Sequence, residues 1–196
     1  DFIQVPTSLV AQIDSSVGGK VAIDLQTGKN LVGSFYQPLG VLIDPDLLTS
    51  LPKRYLHDGL AEAIKYGCIR SADLFAKLQG IKDDEELLAN IEVIIKECCE
   101  IKARIVENDE FDTGERMVLN FGHTIGHAVE KYYNYETYTH GEGVGIGMVA
   151  LTGKTEQLGI TEKGSTTLIK DVLQHYGLPT EAVMEKEEVL KTIALD

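Results

Sequence analysis

The rhythm of hydrophobic positions changes near residue 50. Before it, short apolar runs at Ile3 to Val5, Val21 to Ile23 and Val41 to Ile43 stand between Gly, Pro, Asn and Asp signals, a pattern that predicts short strands and turns. After it, the spacing is helical. Asp83 with Glu86 three residues on resembles a capping box, and behind it Leu87, Leu88, Ile91, Ile94, Ile95, Cys98, Ile101 and Ile105 recur along one helix face to about residue 108. Further helices are predicted over 53–69, 114–133, 141–158 and 165–176, the last closed by Gly177 and Pro179. No internal repeat or low-complexity segment interrupts this order. A few strands cannot bury both of their faces alone. The expected architecture is therefore mainly α: an all-helical domain over 51–196, preceded by the β-rich tail, residues 1–50, of a truncated α/β domain. A site would lie in the cleft between them.

Composition narrows this picture. A chain of 196 residues with 43% hydrophobic content buries one good core, or one and part of another. It has no run of eighteen apolar residues, so no membrane span is expected. The opening Asp1-Phe2-Ile3-Gln4-Val5 has neither an initiator Met nor the character of a signal peptide, and reads as a chain entered in the middle. Cys68, Cys98 and Cys99 are odd in number and two are adjacent, which argues against a disulfide framework and for a reducing, cytoplasmic compartment. Cys98 and Cys99 fall in an apolar helical pattern and are expected as small core residues rather than metal ligands. The net charge of −13 argues against nucleic acid or an anionic membrane surface as partner. Lys20, Lys29, Lys65, Lys102 and Arg116 nonetheless lie in polar or Gly-rich stretches. Either they are ordinary solvated side chains, or they gather as a local positive cluster that binds an anion.

The candidate chemistry is concentrated in the run Leu119-Asn120-Phe121-Gly122-His123-Thr124-Ile125-Gly126-His127 and in His140-Gly141-Glu142-Gly143, which together hold three of the five histidines. On a helix His123 and His127 share a face one turn apart. Such a pair offers two imidazoles to one metal ion or one substrate, or is simply a satisfied surface pair. Glycines at 122, 126, 141, 143, 145 and 147 each cost a helix roughly 1 kcal/mol, so they point to close approach of a ligand or of backbone. Glu62, flanked by Ala61, Ala63, Ile64 and Gly67, is expected to be less exposed than a surface carboxylate, and a buried carboxylate needs a metal or a cation.

Five segments in register then carry a resemblance. They are Gln4 to Lys20 (QVPTSLVAQIDSSVGGK), Gly28-Lys29-Asn30, Ala61-Glu62-Ala63-Ile64-Lys65-Tyr66-Gly67, Lys102 with Asp109-Glu110, and Arg116 through Asn120 and His123 to His127. In this order they resemble the signature segments of the 3-dehydroquinate synthase family. The resemblance implies conversion of a phosphorylated sugar acid, 3-deoxy-arabino-heptulosonate 7-phosphate, to 3-dehydroquinate and phosphate in the shikimate pathway, with bound NAD and a divalent metal, Zn2+ or Co2+. It makes residues 1–50 the end of a nucleotide-binding domain. It implies Glu62, His123 and His140 as metal ligands, a different set from the His123/His127 pair, and leaves His127 for proton transfer. Lys20, Asn30, Lys65, Lys102, Arg116, Asn120 and His127 would contact substrate, with the catalytic work falling to His127, Lys65, Asn120, Asp14 and Lys20. Thr7, Ser8, Asp14, Lys20, Lys29, Leu47, Leu48, Thr49 and Ser50 would border NAD. The family pattern also implies a homodimer. Its Gly-rich NAD loops would lie upstream of residue 1 and a further substrate lysine beyond Asp196, so this chain alone is expected to be inactive. The alternatives are another sugar-phosphate cyclase, a metal-dependent polyol dehydrogenase, and a non-catalytic metal-binding module.

Overall fold

The computed structural model describes residues 1–25 and 28–193, with the side chains of 24, 25, 28–31, 186 and 191 excepted. Strand β1 (Ile3–Gln4) pairs in parallel with β4 (Gly40–Val41), Ile3 facing Gly40. Between them in sequence, β2 (Lys20–Leu25) and β3 (Gly28–Phe35) pair antiparallel, with Lys20 opposite Phe35 and Ile23 opposite Val32. The strand predicted at 21–23 is thus one arm of a longer ribbon whose second arm the apolar pattern did not show. A π-helical turn, Ala11–Ser15, and a 3-10 turn, Pro45–Ser50, complete this part.

Among the described residues seven helices follow: α1 (Lys53–Arg70), α2 (Ala72–Gly80), α3 (Asp84–Asn108), α4 (His123–Tyr132), α5 (His140–Gln157), α6 (Ser165–His175) and α7 (Lys186–Ile193). Half of the predicted capping box of α3 forms, Asp83 Oδ1 accepting from the Glu86 N–H at 2.9 Å, whereas the Glu86 carboxylate accepts from the Lys82 N–H, one residue before the cap, rather than from Asp83. Helix α2 was not predicted; Ser71 caps it by accepting from the Leu74 N–H at 3.1 Å. The helix predicted over 114–133 is corrected to a 3-10 turn, Glu115–Asn120, followed by α4. Gly122 divides them at φ +84°, a left-handed conformation that ends regular helix and that glycine adopts without strain.

One core joins α1, α2, α3, α5 and α6. Leu60 and Ile64 of α1, Ile94 and Cys98 of α3, Val144 and Met148 of α5 and Leu173 of α6 are fully or almost fully buried together. Leu9, Ile13 and Leu48 from the first fifty residues enter the same cluster rather than forming another. His57 ties three helices from within, its Nδ1 at 2.6 Å from the Tyr176 carbonyl just past α6 and its Nε2 at 2.7 Å from Asp84 at the start of α3. No helix among the described residues is long and apolar enough to cross a membrane.

Candidate active site

Helix α1 carries Glu62 on its buried face, four residues beyond Asp58 and three before Lys65, so the three ionisable groups lie along one side. Glu62 is completely buried. Its Oε2 meets Lys65 Nζ at 2.5 Å, and its Oε1 faces His123 Nε2 at 3.3 Å and His140 Nε2 at 3.5 Å. These are charge contacts rather than directed bonds, since neither carboxylate oxygen receives a well-aligned donor. Burial pushes the Glu62 carboxyl up, but Lys65 and His123 more than reverse this and hold it well below the usual carboxylate range. Lys65 is itself 1% exposed. Burial pulls its ammonium down, and Glu62 with Asp14 outweighs that and holds it raised.

The two imidazoles arrive from different helices. His123 opens α4, and its Nδ1 donates to the Phe121 carbonyl at 3.3 Å, leaving Nε2 toward Glu62. His140 opens α5, with Glu130 Oε2 3.2 Å from its Nδ1 and, again, Nε2 toward Glu62. Burial lowers His140, and Glu130 with Glu62 overcomes it and raises the ring to about 10. Asp58 anchors this end of α5: its Oδ1 accepts from the Gly141 and Glu142 N–H groups at 2.6 and 3.2 Å. Arg54, one turn earlier, grips Glu142 through Nε and Nη2 at 2.8 and 2.7 Å while Glu142 closes the Thr139 capping box.

The glycines serve backbone rather than ligand. A Cβ on Gly126 would lie 2.9 Å from the Gly143 backbone, one on Gly147 would run into the Gly122 carbonyl, and one on Gly141 into the Asp58 carbonyl. Helices α4 and α5 therefore touch main chain to main chain, and this brings the His123 and His140 rings to 5.1 Å. His127, half-buried one turn along α4, has its ring 5.6 Å from His123 and 6.0 Å from His140. The ligand atoms of Glu62, His123 and His140 all lie within 4.8 Å of one another, and His127, Glu130 and His140 form a second such group that shares His140. A buried carboxylate lacking aligned donors, with two imidazole Nε2 atoms turned toward it, is a donor set suited to zinc or cobalt with room for further ligands.

The π-helical turn places Asp14 beside this group. Its carboxylate meets Lys65 at 3.5 Å and forms an ion pair with Lys102, whose Nζ also donates to the Asp14 carbonyl at 2.7 Å. Lys65 and Lys102 thus converge on one acid. Arg116 turns elsewhere: 2% exposed, it donates to the Gly18 and Glu110 carbonyls at 2.8 and 2.5 Å and lies over the Phe35 ring. Lys20 is exposed and pairs with Asp112, and Asn120 is exposed at the end of its 3-10 turn. Thr7 is exposed and Ser8 half-buried. In the 3-10 turn, Leu47 is half-buried, Leu48 points into the core, and the Thr49 and Ser50 hydroxyls bond to the Asp46 and Leu47 carbonyls. The side chains of Lys29 and Asn30 lie outside the described residues. Glu130 and Asp58 were not singled out from the sequence. Glu130 could have been, since it stands seven residues past His123 and three past His127, on their face of the helix.

The architecture is that of the sugar-phosphate cyclases. A 2-epi-5-epi-valiolone synthase from Streptomyces hygroscopicus subsp. jinggangensis 5008, solved with NAD+ and Zn2+ bound, matches with a TM-score of 0.89 at 24% identity over 98% of this chain and 54% of its own. A 2-deoxy-scyllo-inosose synthase complexed with carbaglucose-6-phosphate, NAD+ and Co2+ matches at 0.88 and 25% identity, over 99% of this chain and 54% of its own. Within that class, residues 1–58 match 3-dehydroquinate synthase N-terminal and residues 59–196 match 3-dehydroquinate synthase C-terminal. The chain belongs to the 3-dehydroquinate synthase family. It is 59% identical over 197 residues to 3-dehydroquinate synthase of Clostridium botulinum (strain Alaska E43 / Type E3), covering 100% of this chain and 56% of the relative. With that of Clostridium perfringens (strain SM101 / Type A) it shares 60% over 184 residues, 94% of this chain and 53% of the relative. The chain thus spans about half the length of these curated relatives.

Proposed function

We propose that this chain carries the metal site and much of the substrate site of a 3-dehydroquinate synthase, which converts 3-deoxy-arabino-heptulosonate 7-phosphate to 3-dehydroquinate and phosphate. The observation that carries the reading is the buried Glu62 carboxylate, which gathers two imidazole Nε2 atoms and one lysine yet receives no aligned hydrogen bond. Glu62, His123 and His140 would hold Zn2+ or Co2+. Bound there, the cation would stabilise negative charge developing on substrate oxygens, while NAD would take up and return a hydride. Lys65 and Lys102 supply positive charge beside Asp14, suited to a carboxylate or phosphate, and Asp14 orients hydroxyls between them. His127, beside both candidate ligand rings, is the group to carry a proton. Lys20, Asn30 and Asn120 complete the substrate contacts, and Arg116, whose guanidinium donates to the Gly18 and Glu110 carbonyls, would join them only by giving up those bonds. Thr7, Ser8, Lys20, Lys29, Leu47, Thr49 and Ser50 border the cofactor, and Leu48, with its side chain in the core, can do so only through its backbone.

On the same reading, residues 1–50 end a nucleotide-binding domain, residues 51–196 form the metal and substrate domain, and the protein works in the cytoplasm as a homodimer. The test uses the whole polypeptide that contains this chain, supplied with the heptulosonate phosphate, trace NAD and Zn2+. Phosphate release without net NADH is expected. Stoichiometric NADH would instead point to a dehydrogenase, and no turnover of this substrate by the metal-loaded protein would point to a cyclase acting on another sugar phosphate.

A further inference from the structure

We propose that Glu130 is a positioning residue that aims His140 at the metal without binding the metal itself. The inference rests on the metal reading above. Glu130 projects from α4, is 3% exposed, and sets Oε2 3.2 Å from His140 Nδ1. A carboxylate at that nitrogen keeps the ring hydrogen on Nδ1 and the lone pair on Nε2, the atom that faces Glu62 Oε1. It also makes Nε2 the stronger donor to a cation. A Cβ on Gly143 would lie 3.0 Å from the Gly126 carbonyl oxygen and 3.4 Å from Glu130 Cγ, so the close approach of α4 and α5 also brings the glutamate stem against the first turn of α5, the turn that His140 opens. Helix spacing places Glu130 on the side of α4 that bears His123 and His127, so a single helix supplies one candidate ligand and the support for another.

The rival assignment makes Glu130 a ligand, in the group formed with His127 and His140. That group draws on the same His140 ring, so it competes with the Glu62, His123 and His140 group for one imidazole. A cation bound through His140 Nε2 instead leaves the Glu130 contact undisturbed.

The test measures Zn2+ affinity by chelator competition on the folded chain, with the absorption of the Co2+-saturated protein as a second readout. Glu130→Ala should weaken Zn2+ binding roughly 10- to 100-fold, the range for loss of such a support. Glu130→Gln, which still accepts from Nδ1–H, should lie close to the unsubstituted protein, and Glu130→Asp, one methylene short, close to Glu130→Ala. The Co2+ bands should keep their positions in every Glu130 variant. If Glu130→Ala fails to fold, the Gln and Asp variants decide between the readings, since a purely structural residue would change melting temperature without ordering affinity in this way. Unchanged affinity in Glu130→Asp or Glu130→Ala, or Co2+ bands that shift on saturation, would overturn the proposal. An unsubstituted chain that takes up no Zn2+, or a His140→Ala chain that binds as tightly as the parent, would overturn the metal reading instead.

Discussion

At the scale of single residues, the interior of this protein is governed by one lysine between two acids. Lys65 compensates the fully buried Glu62 and shares the half-buried Asp14 with Lys102. Removing one partner of a buried pair leaves the other charge unpaired, at a cost of about 3–5 kcal/mol. Lys65→Met should therefore destabilise the metal-free chain by about that much in urea unfolding, while Lys65→Met with Glu62→Gln should cost clearly less than the two changes summed. Additive losses would mean that Lys65 is held by packing rather than by charge. Sequence reasoning reaches some of this directly. The alanines and glycine around Glu62 announced a shielded carboxylate, and it is fully buried. Asp14 was less accessible to such reasoning, because its place depends on a π-helical turn closed by the Ser16 N–H to the Ala11 carbonyl, and no spacing rule signals that turn.

At the scale of elements, glycine has two opposite meanings here, and the sequence alone could not separate them. Gly147 packs against the Gly122 carbonyl, whereas a Cβ on Gly153 would meet only Thr166, at 3.6 Å. Gly153→Ala should stabilise α5 by roughly 0.5–1 kcal/mol through helix propensity, and Gly147→Ala should destabilise by about 3 kcal/mol or more through overpacking. Thermal unfolding of the two variants reads both signs, and similar shifts would contradict the close contact of α4 and α5. The cap of α5 responds to acid. Burial pushes Glu142 up, and Arg54 with the Thr139 N–H more than reverses it, so its carboxyl lies below its ordinary value. A depressed carboxyl stabilises the fold above the unfolded value near 4.5 and loses that contribution as pH falls through the folded value. Glu142→Gln should lower stability at pH 7 by about 1 kcal/mol and flatten the loss toward pH 3, measured by urea unfolding across that range. The helical spacing made α1, α3, α5 and α6 legible and did not show α7. It missed α2, nine residues long with only Leu74 and Leu78 buried, and it ran the helix predicted over 114–133 straight through the left-handed Gly122.

For the whole molecule, Leu9, Ile13 and Leu48 of the first fifty residues share one core with α1, α2, α3, α5 and α6, so these parts should unfold together. The change of rhythm near residue 50 marks a change of secondary structure and does not mark a gap in packing. The β3 arm of the ribbon escaped the sequence because it holds Gly28, Gly33 and Ser34 in place of an alternating apolar pattern. A cation that binds only the folded chain should stabilise it by about 2.7 kcal/mol at a hundredfold excess over its Kd, a melting shift of roughly 5–10 °C for a chain of this size. Zn2+ should produce this shift, and Glu62→Gln should abolish it. An equal shift in the variant would place the binding elsewhere.

The glycine seam between α4 and α5 has a mechanical consequence. Side chains in an ordinary helix contact can change rotamer and share out a load, but two main chains in contact have nothing left to compress. The spacing of His123 and His140 is set by that rigid stop, so under hydrostatic pressure their resonances should drift less than those of the layered side chains between α1 and α3. The joint that separates the two imidazoles should then yield less than the side-chain packing between α1 and α3.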